Sequence, residues 1–133
     1  MTTPFTKDKT TNPYESKFGY SRAIRRGPFI FVSGTTSICP STGDVLHPTS
    51  AYDQSCTIFA EIVRAIEALG GKKEDVVRVR MFVTRDEDGE DVGRALKEAF
   101  GEVEPAATMI LGVRFVKEEM RVEIEADAVV LDD

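Results

Sequence analysis

The alternation of apolar and acidic residues is most regular in the segment RVEIEADAVV, residues 121–130. A period of two is typical of a strand that buries one face. The apolar positions are Val122, Ile124, Ala126 and Ala128, and the acidic positions are Glu123, Glu125 and Asp127. The pattern predicts a strand, and it leaves open whether the three carboxylates form a solvated face or line a site.

Aromatic and β-branched residues predict further strands along the chain. Residues 18–34, FGYSRAIRRGPFIFVSG, indicate two strands joined by a turn at residues 26–28. Residues 39–46, CPSTGDVL, indicate a turn that leads into a short strand, and residues 106–115 indicate another strand. Residues 75–85 alternate again, with Val77, Val79, Met81 and Val83 on one face and Arg78, Arg80 and Phe82 on the other.

Two segments follow the helical period of 3.6 residues instead. The first begins after Ser50, which has the spacing of a capping box with Asp53, and ends at Gly70-Gly71. Its apolar stripe is Tyr52, Cys56, Phe59, Ile62, Val63, Ile66 and Leu69, so Cys56 is predicted to lie in the core. The second covers residues 86–100, where acidic residues suit the positive N-terminal end of the helix dipole.

The predicted order of elements is β-β-β-α-β-α-β-β. Two helices cannot cover both faces of a sheet of five to six strands, so we expect both helices on one face of an α+β fold. The other face would carry Arg78, Arg80, Phe82 and the three acids, a mixed surface that oligomerisation often closes. The 133 residues suit one domain over 18–133, preceded by a flexible, Thr-rich N-terminal arm over residues 1–17.

Composition narrows the class of function. Seventeen basic and 23 acidic residues give a formal charge of −6, which argues against nucleic-acid binding because phosphate contacts need a basic face. Two cysteines without a CxxC pair and one histidine predict no Cys/His metal site and a reducing, cytoplasmic setting. The sequence has no apolar run of about 18 residues, which predicts no membrane span, and a mitochondrial address stays open.

Two groups of residues suggest chemistry, each with a plainer alternative. Arg80 and the acids of the final strand fall on one predicted face, where a carboxylate beside a guanidinium could orient a water, or the pair could be a surface or intersubunit salt bridge. Ser33-Gly34-Thr35-Thr36 ends a strand and could bind a carboxylate or carbonyl oxygen, or could simply be a turn. Cys39 lies in a loop without a neighbouring base, so its role stays open.

Together, the motifs FGYSRAI, FIFVSGTTSICPSTGDV, VVRVRMFVTR, PAATMILGV and RVEIEADAVV resemble the reactive intermediate deaminase family. This family is called Rid or YjgF, and its members are often labelled L-PSP endoribonucleases. The resemblance implies a chorismate-mutase-like fold that assembles as a homotrimer, with an inner barrel of sheets and clefts between subunits. It also implies hydrolysis of enamines or imines to a keto acid and ammonia, without a cofactor or metal.

The resemblance assigns roles residue by residue. It implies that Tyr20 and Glu123 are catalytic, with Glu123 positioning the attacking water, and that Ser33 and Gly34 bind substrate. The family's arginine, which grips the substrate carboxylate, follows a Pro-Ala pair, but here Pro105-Ala106 is followed by Ala107. Ala107 and Thr108 therefore occupy the clamp position without a charge. Arg80 is the predicted replacement, with Arg78 as its alternative, and the chain resembles the arginine-lacking subgroup.

Three functions follow from this sequence. Loss of the clamp arginine favours a non-catalytic binding or regulatory module whose clefts hold a small carboxylate ligand. The alternative is an imine or enamine deaminase in which Arg80 anchors the substrate and Glu123 orients water. An endoribonuclease is less well supported, because the chain is acidic and lacks a pair of histidines.

Overall fold

The structure is a computed structural model, and it describes residues 6–131. Its strands are β1 (Thr6–Asp8), β2 (Ala23–Arg26), β3 (Phe29–Thr35), β4 (Val76–Val83), β5 (Ala106–Leu111) and β6 (Val122–Val129). Its helices are α1 (Pro13–Phe18), α2 (Ala51–Ala68) and α3 (Gly89–Phe100). Short 3-10 turns at Lys73–Asp75 and Asp86–Asp88 precede β4 and α3.

The six strands form one mixed sheet in the order β1-β2-β3-β6-β4-β5. All neighbours are antiparallel except β4 and β5, which α3 connects as a parallel pair. The α+β class and the mixed sheet predicted from the sequence are confirmed. Strand β6 lies between β3 and β4. The carboxylates on its open side, Glu123, Glu125 and Asp127, therefore lie next to side chains of both neighbouring strands.

The core lies between one face of the sheet and the helices α2 and α3. Strand β6 alternates as predicted, with Val122, Ile124, Ala126 and Ala128 buried and the three acids half-buried. Phe59 of α2 meets Phe100 of α3 edge to face, with ring centroids 5.4 Å apart. Apolar burial of this kind contributes roughly 25 cal/mol for each Å² removed from water, so this layer holds the sheet and fixes its other, open face.

Two predicted apolar positions are wrong. The register of β4 against β6 shifts between Val76 and Arg78, and this bulge turns Val77 outward, so that Val76 is buried and Val77 is 45% exposed. Cys56 is exposed rather than in the core. The buried face of α2 is centred on Ile58, Ile62 and Ile66, with Ser55 and Phe59 beside them, and Cys56 falls outside that arc.

The chain also departs from the predicted order before β2 and after β3. The short strand expected after residues 39–46 is only an isolated bridge between Ile38 and Val45. The sequence prediction missed β1, which falls inside the predicted arm, and α1, which begins in the arm and ends one residue beyond it. Helix α1 begins with Asn12 capping the N–H of Tyr14 and with Pro13 in the first turn, a signal that was readable in the sequence. Residues 1–5 of that arm lie outside the described residues, and the domain limits stay a prediction.

None of the helices within residues 6–131 is long and apolar enough to cross a membrane. The same residues contain no group of three or more His, Cys, Asp or Glu side chains that could hold a metal ion.

Candidate functional site

A cavity of about 370 Å³ lies beside β3 and β6, and it brings four of the predicted site residues together. Tyr20, Ser33, Gly34 and Glu123 all line it. They meet because β3 and β6 are antiparallel neighbours, with Thr35 opposite Ile124, so the end of β3 faces the beginning of β6. The segment before β2 closes one side with Asn12, Tyr14, Phe18 and Tyr20, and the loop before β6 adds Val116 and Met120.

Glu123 packs directly against the backbone of Gly34. A Cβ atom at residue 34 would overlap Oε2 of Glu123 and would lie 3.0 Å from its Cδ. The register of β3 against β6 is irregular between Val32 and Thr35, which lets the backbone come this close. Glycine at position 34 is therefore what makes room for the Glu123 carboxylate.

Ser33 fixes the wall that carries Tyr20. Its hydroxyl donates to the carbonyl of Ser21 at 2.7 Å, and its N–H donates to the carbonyl of Arg22 at 2.9 Å. The hydroxyl oxygen can still accept a hydrogen bond from a ligand. Ser33 thus ties the segment before β2 to the end of β3, and it holds Tyr20 and Arg22 at the cavity.

Arg22 is the cation at this cavity, and the sequence reasoning missed it. Its side chain is 2% exposed, and its Nε lies 3.5 Å from Oε2 of Glu15. Its Nη1 is 3.4 Å from Oγ1 of Thr35, and its guanidinium carbon is 5.5 Å from the centroid of the Tyr20 ring. Arg22 lies at a bend just before β2, two residues after Tyr20. The sequence offered no local signal for its burial, which depends on contacts with Glu15 and Thr35.

Burial raises the pKa of Glu123, because partial removal from water disfavours the charged form of the carboxylate. The positive charge of Arg22 lowers the pKa of Glu123, and the negative charge of Glu125 raises it, but both effects are smaller than that of burial. A carboxyl group shifted upward exchanges its proton closer to neutral pH. This suits a residue that accepts a proton from water and later returns it.

Arg80 does not line this cavity. Its Nη1 lies 3.3 Å from Asp127 and 3.9 Å from Glu125, while Phe82 is the β4 residue opposite Glu123. The predicted partner of the acids is therefore present, but it faces the two acids farther along β6. Arg78 stands opposite Asp127 in the register, which places it one step further from Glu123 than Arg80.

The residues at the predicted clamp position also lie outside the cavity. Ala107 and Thr108 are exposed on β5, at the edge of the sheet, paired in register with Val79 and Arg80. Strand β4 separates β5 from β6, so within a single chain neither residue reaches Glu123. The substrate-binding roles of Arg80, Ala107 and Thr108 stay predictions.

Cys39 lies in the turn after β3, and its Sγ is 3.4 Å from the hydroxyl of Ser41. Hydrogen bonds from Ser41 and Thr42 lower the pKa of this thiol from its ordinary value of 9.0 to about 7. Cys39 does not line the cavity that holds Glu123. It is a separate, partly exposed thiol with enhanced ionisation.

Comparison with known proteins identifies the family of the chain. The family described as endoribonuclease L-PSP matches residues 10–130, a range that includes every residue of the cavity. The chain belongs to this family. It is the Rid/YjgF family that the sequence motifs resemble.

Relatives and solved structures of the Rid/YjgF family cover most of this chain. An uncharacterised protein of Streptomyces coelicolor is 34% identical over 118 residues, 88% of this chain and 86% of its own length. The 2-iminobutanoate/2-iminopropanoate deaminase of Dermatophagoides farinae is 29% identical over 111 residues, 84% of this chain and 85% of its own.

Two solved structures share the fold. The YjgF/YER057c/UK114-family protein Rv2704 of Mycobacterium tuberculosis has a TM-score of 0.85 at 32% identity, over 96% of this chain and all of its own. Escherichia coli TdcF with bound serine has a TM-score of 0.74 at 26% identity, over 83% of this chain and 87% of its own. The fold is thus the YjgF-like, chorismate-mutase-like α+β fold, and this Rid family includes small-molecule binders.

Proposed function

We propose that this Rid protein is an imine or enamine deaminase that hydrolyses a short 2-imino acid to a 2-oxo acid and ammonia. The observation that carries the proposal is the Glu123 carboxylate, held on Gly34 in a cavity beside Tyr20 and Ser33, with a raised pKa. The mite relative named as a 2-iminobutanoate/2-iminopropanoate deaminase supports the substrate class.

The proposed reaction needs one proton acceptor and one water. Glu123 accepts a proton from water as the water oxygen bonds to the imine carbon, and the C=N double bond becomes a single bond. The imine nitrogen, protonated in solution, becomes the amine of a tetrahedral intermediate. Transfer of the Glu123 proton to that amine lets the C–N bond break and releases ammonia. The hydroxyl group gives its proton to Glu123 as the C=O bond forms, and Glu123 then returns that proton to solvent. Tyr20 and Ser33 supply hydroxyl groups that orient the substrate.

The test is ammonia and 2-oxo acid release from freshly generated 2-iminopropanoate or 2-aminoacrylate. We expect a rate well above that in buffer, and we expect Glu123→Gln to reduce it by about two orders of magnitude or more. Glu118→Gln, a change in the exposed loop before β6, is the matched control and should keep the rate. A wild-type rate equal to that in buffer contradicts the proposal.

A non-catalytic binding or regulatory module is the second candidate, and Ala107 at the family's clamp position favours it. It predicts that a 2-oxo acid binds the cavity but that no imine is turned over. The endoribonuclease reading has less support because the net charge is −6. A cytoplasmic location also stays a prediction.

We also propose that the chain acts as a homotrimer. The open face of the sheet exposes Phe29, Phe31 and Ile110 by 45–49%, and β5 has one unpaired edge within the described chain. Apolar side chains of this size on a sheet face mark an interaction surface. Closure of three such faces into a barrel would bury them together with the Arg80–Asp127 pair.

A further inference from the structure

Arg22 has donors that the described residues leave unused. A guanidinium carries five N–H groups, yet within the described residues the Arg22 guanidinium makes one hydrogen bond, from Nη1 to the Thr35 hydroxyl. Its Nε and Nη2 are buried and have no hydrogen-bond partner within residues 6–131. Buried donors of a charged group are usually satisfied, so an acceptor from outside the chain is the simplest explanation.

Glu15 balances the charge of Arg22 without satisfying these donors. Its Oε1 accepts the N–H of Thr10 at 2.7 Å, and its Oε2 accepts the Thr10 hydroxyl at 2.6 Å. The carboxylate is therefore oriented toward the segment before α1, and its 3.5 Å contact with Nε is an ion pair rather than a hydrogen bond. The guanidinium keeps its capacity for a second, better-aligned carboxylate.

We infer that Arg22 is the residue that anchors the carboxylate of the ligand in this cavity, in the absence of an arginine at position 107. The inference rests on the proposed function, because it takes the ligand to be a short 2-oxo or 2-imino acid. Arg22 lines the same cavity as Tyr20, Ser33 and Glu123. A carboxylate held by Arg22 would lie in the cavity that the Glu123 carboxylate also lines.

The anchor has a consequence for selectivity. The guanidinium is buried, and a charge-assisted hydrogen bond in such a place is stronger than one at the surface. The cavity should therefore prefer an anionic 2-oxo acid over its neutral carboxamide, which has the same shape. Arg80 is already paired with Glu125 and Asp127, so it should not contribute to this preference for an anion.

The experiment measures binding of 2-oxobutanoate and of 2-oxobutanamide by isothermal titration calorimetry. For Arg22→Gln we expect the Kd of 2-oxobutanoate to rise on the order of tenfold or more, with the Kd of the carboxamide little changed. Arg25→Gln is the matched control three residues farther along the chain, on β2, because the Arg25 guanidinium donates to the carbonyls of Gly27 and Leu69, away from the cavity. Arg25→Gln should bind both compounds like the wild type.

Loss of the charge leaves Glu15 buried alone, so Arg22→Gln is paired with Glu15→Gln/Arg22→Gln, which removes both charges. Thermal unfolding identifies the variant that is folded at the titration temperature. The inference is overturned if a folded variant without Arg22 binds 2-oxobutanoate like the wild type, or if binding of the carboxamide falls in parallel. It is also overturned if Arg80→Gln, and not Arg22→Gln, loses the 2-oxo acid.

The result separates this inference from the proposed reaction. If 2-oxobutanoate binding depends on Arg22 while no imine is hydrolysed, the anchor stands and the deaminase proposal fails. If imine is hydrolysed and Arg22→Gln leaves both KM and 2-oxobutanoate binding unchanged, the deaminase proposal stands and the anchor fails.

Discussion

Glycine at position 34 and the carboxylate of Glu123 occupy neighbouring space that no larger residue can share. Gly34→Ala would place a methyl group on Oε2 of Glu123, so we expect the carboxylate to swing away from its position in the cavity. A displacement of about 1 Å can lower a catalytic rate roughly 100-fold. The loss of stability should be small, because the end of the flexible Glu123 side chain can move aside. Imine turnover and urea unfolding measure the two effects.

Gly93→Ala is the control for that change. Gly93 lies inside α3, and a Cβ there meets nothing within 4 Å. Alanine in a helix interior is favoured over glycine by about 0.5–1 kcal/mol, so this variant should be more stable with unchanged turnover. Equal imine turnover by Gly34→Ala and Gly93→Ala would contradict the close approach of Glu123 to Gly34.

The pH dependence of stability reports the environment of Glu123. Burial raises the pKa of Glu123 above its ordinary value of 4.5, so the folded state binds a proton there that the unfolded state has released. This contribution is complete below the unfolded pKa, and it is lost as the pH rises through the folded pKa. Urea unfolding between pH 4 and 8 should therefore show the wild type losing stability relative to Glu123→Gln as the pH rises.

The charge of Glu125 provides the check on that prediction. Glu125 raises the pKa of Glu123, so its charge should enlarge the effect. When Glu125→Gln is compared with Glu123→Gln/Glu125→Gln, the difference in free energy of unfolding should change less with pH than the difference between wild type and Glu123→Gln. A difference between wild type and Glu123→Gln that is constant from pH 4 to 8 would show that the carboxyl is not desolvated.

Cys39 should react as a thiolate near neutral pH. Hydrogen bonds from Ser41 and Thr42 lower its pKa to about 7, and the thiolate is the form that attacks iodoacetamide. In a Cys56→Ser background, the alkylation rate plotted against pH should have its midpoint near pH 7. Ser41→Ala removes the largest cause and should move the midpoint toward 9.0. A midpoint that Ser41→Ala leaves in place would contradict this origin.

Residue-level roles were only partly predictable. Tyr20, Ser33, Gly34 and Glu123 could be chosen from motifs because each is carried by a recognisable local pattern. Arg22 stands within the quoted motif FGYSRAI, yet nothing local distinguishes a buried arginine from an exposed one. Its burial depends on Glu15 and Thr35, which come from other elements. Pairing of that kind follows from tertiary contacts, which alternation alone does not encode.

Among the elements, α2 depends on its N-terminal cap. The Ser50 hydroxyl accepts the N–H of Asp53 at 3.0 Å, as the capping-box spacing predicted. Ser50→Ala leaves that N–H without its partner and should lower the free energy of unfolding by about 1 kcal/mol. Urea unfolding measures the change. Ser16→Ala on exposed α1, where the hydroxyl makes only a 3.5 Å contact, should shift stability by less than about 0.5 kcal/mol.

Long periodic elements were predictable, whereas short ones were not. Helices α2 and α3 and strand β6 each repeat their apolar period over at least eight residues, which is enough for the pattern to stand out. Strand β1 has three residues and α1 has six, too few for a period. The bulge in β4 exchanges the burial of Val76 and Val77 relative to the prediction. The register of β4 is set by its pairing with β6, which the sequence of β4 alone does not show.

For the whole molecule, the open face of the sheet should govern assembly. We expect the wild type to sediment with three times the mass of the 14.7 kDa chain. Ile110 lies on that face at the edge strand, opposite Phe82, so Ile110→Asp should bury a charge and shift the protein toward monomer. Ala60→Asp adds the same charge to the exposed side of α2 and should leave the mass unchanged. A monomeric wild type would contradict the trimer.

The position of β6 also has a consequence for biosynthesis. It is the last of the described strands along the chain, yet it joins β3 to β4 in the middle of the sheet. Until residues 122–129 leave the ribosome, the ladder of β1, β2 and β3 and the pair of β4 and β5 remain unconnected. A nascent chain that stops before Val122 therefore presents two bare strand edges, which promote aggregation. We expect a premature stop there to yield an insoluble fragment rather than a smaller working protein.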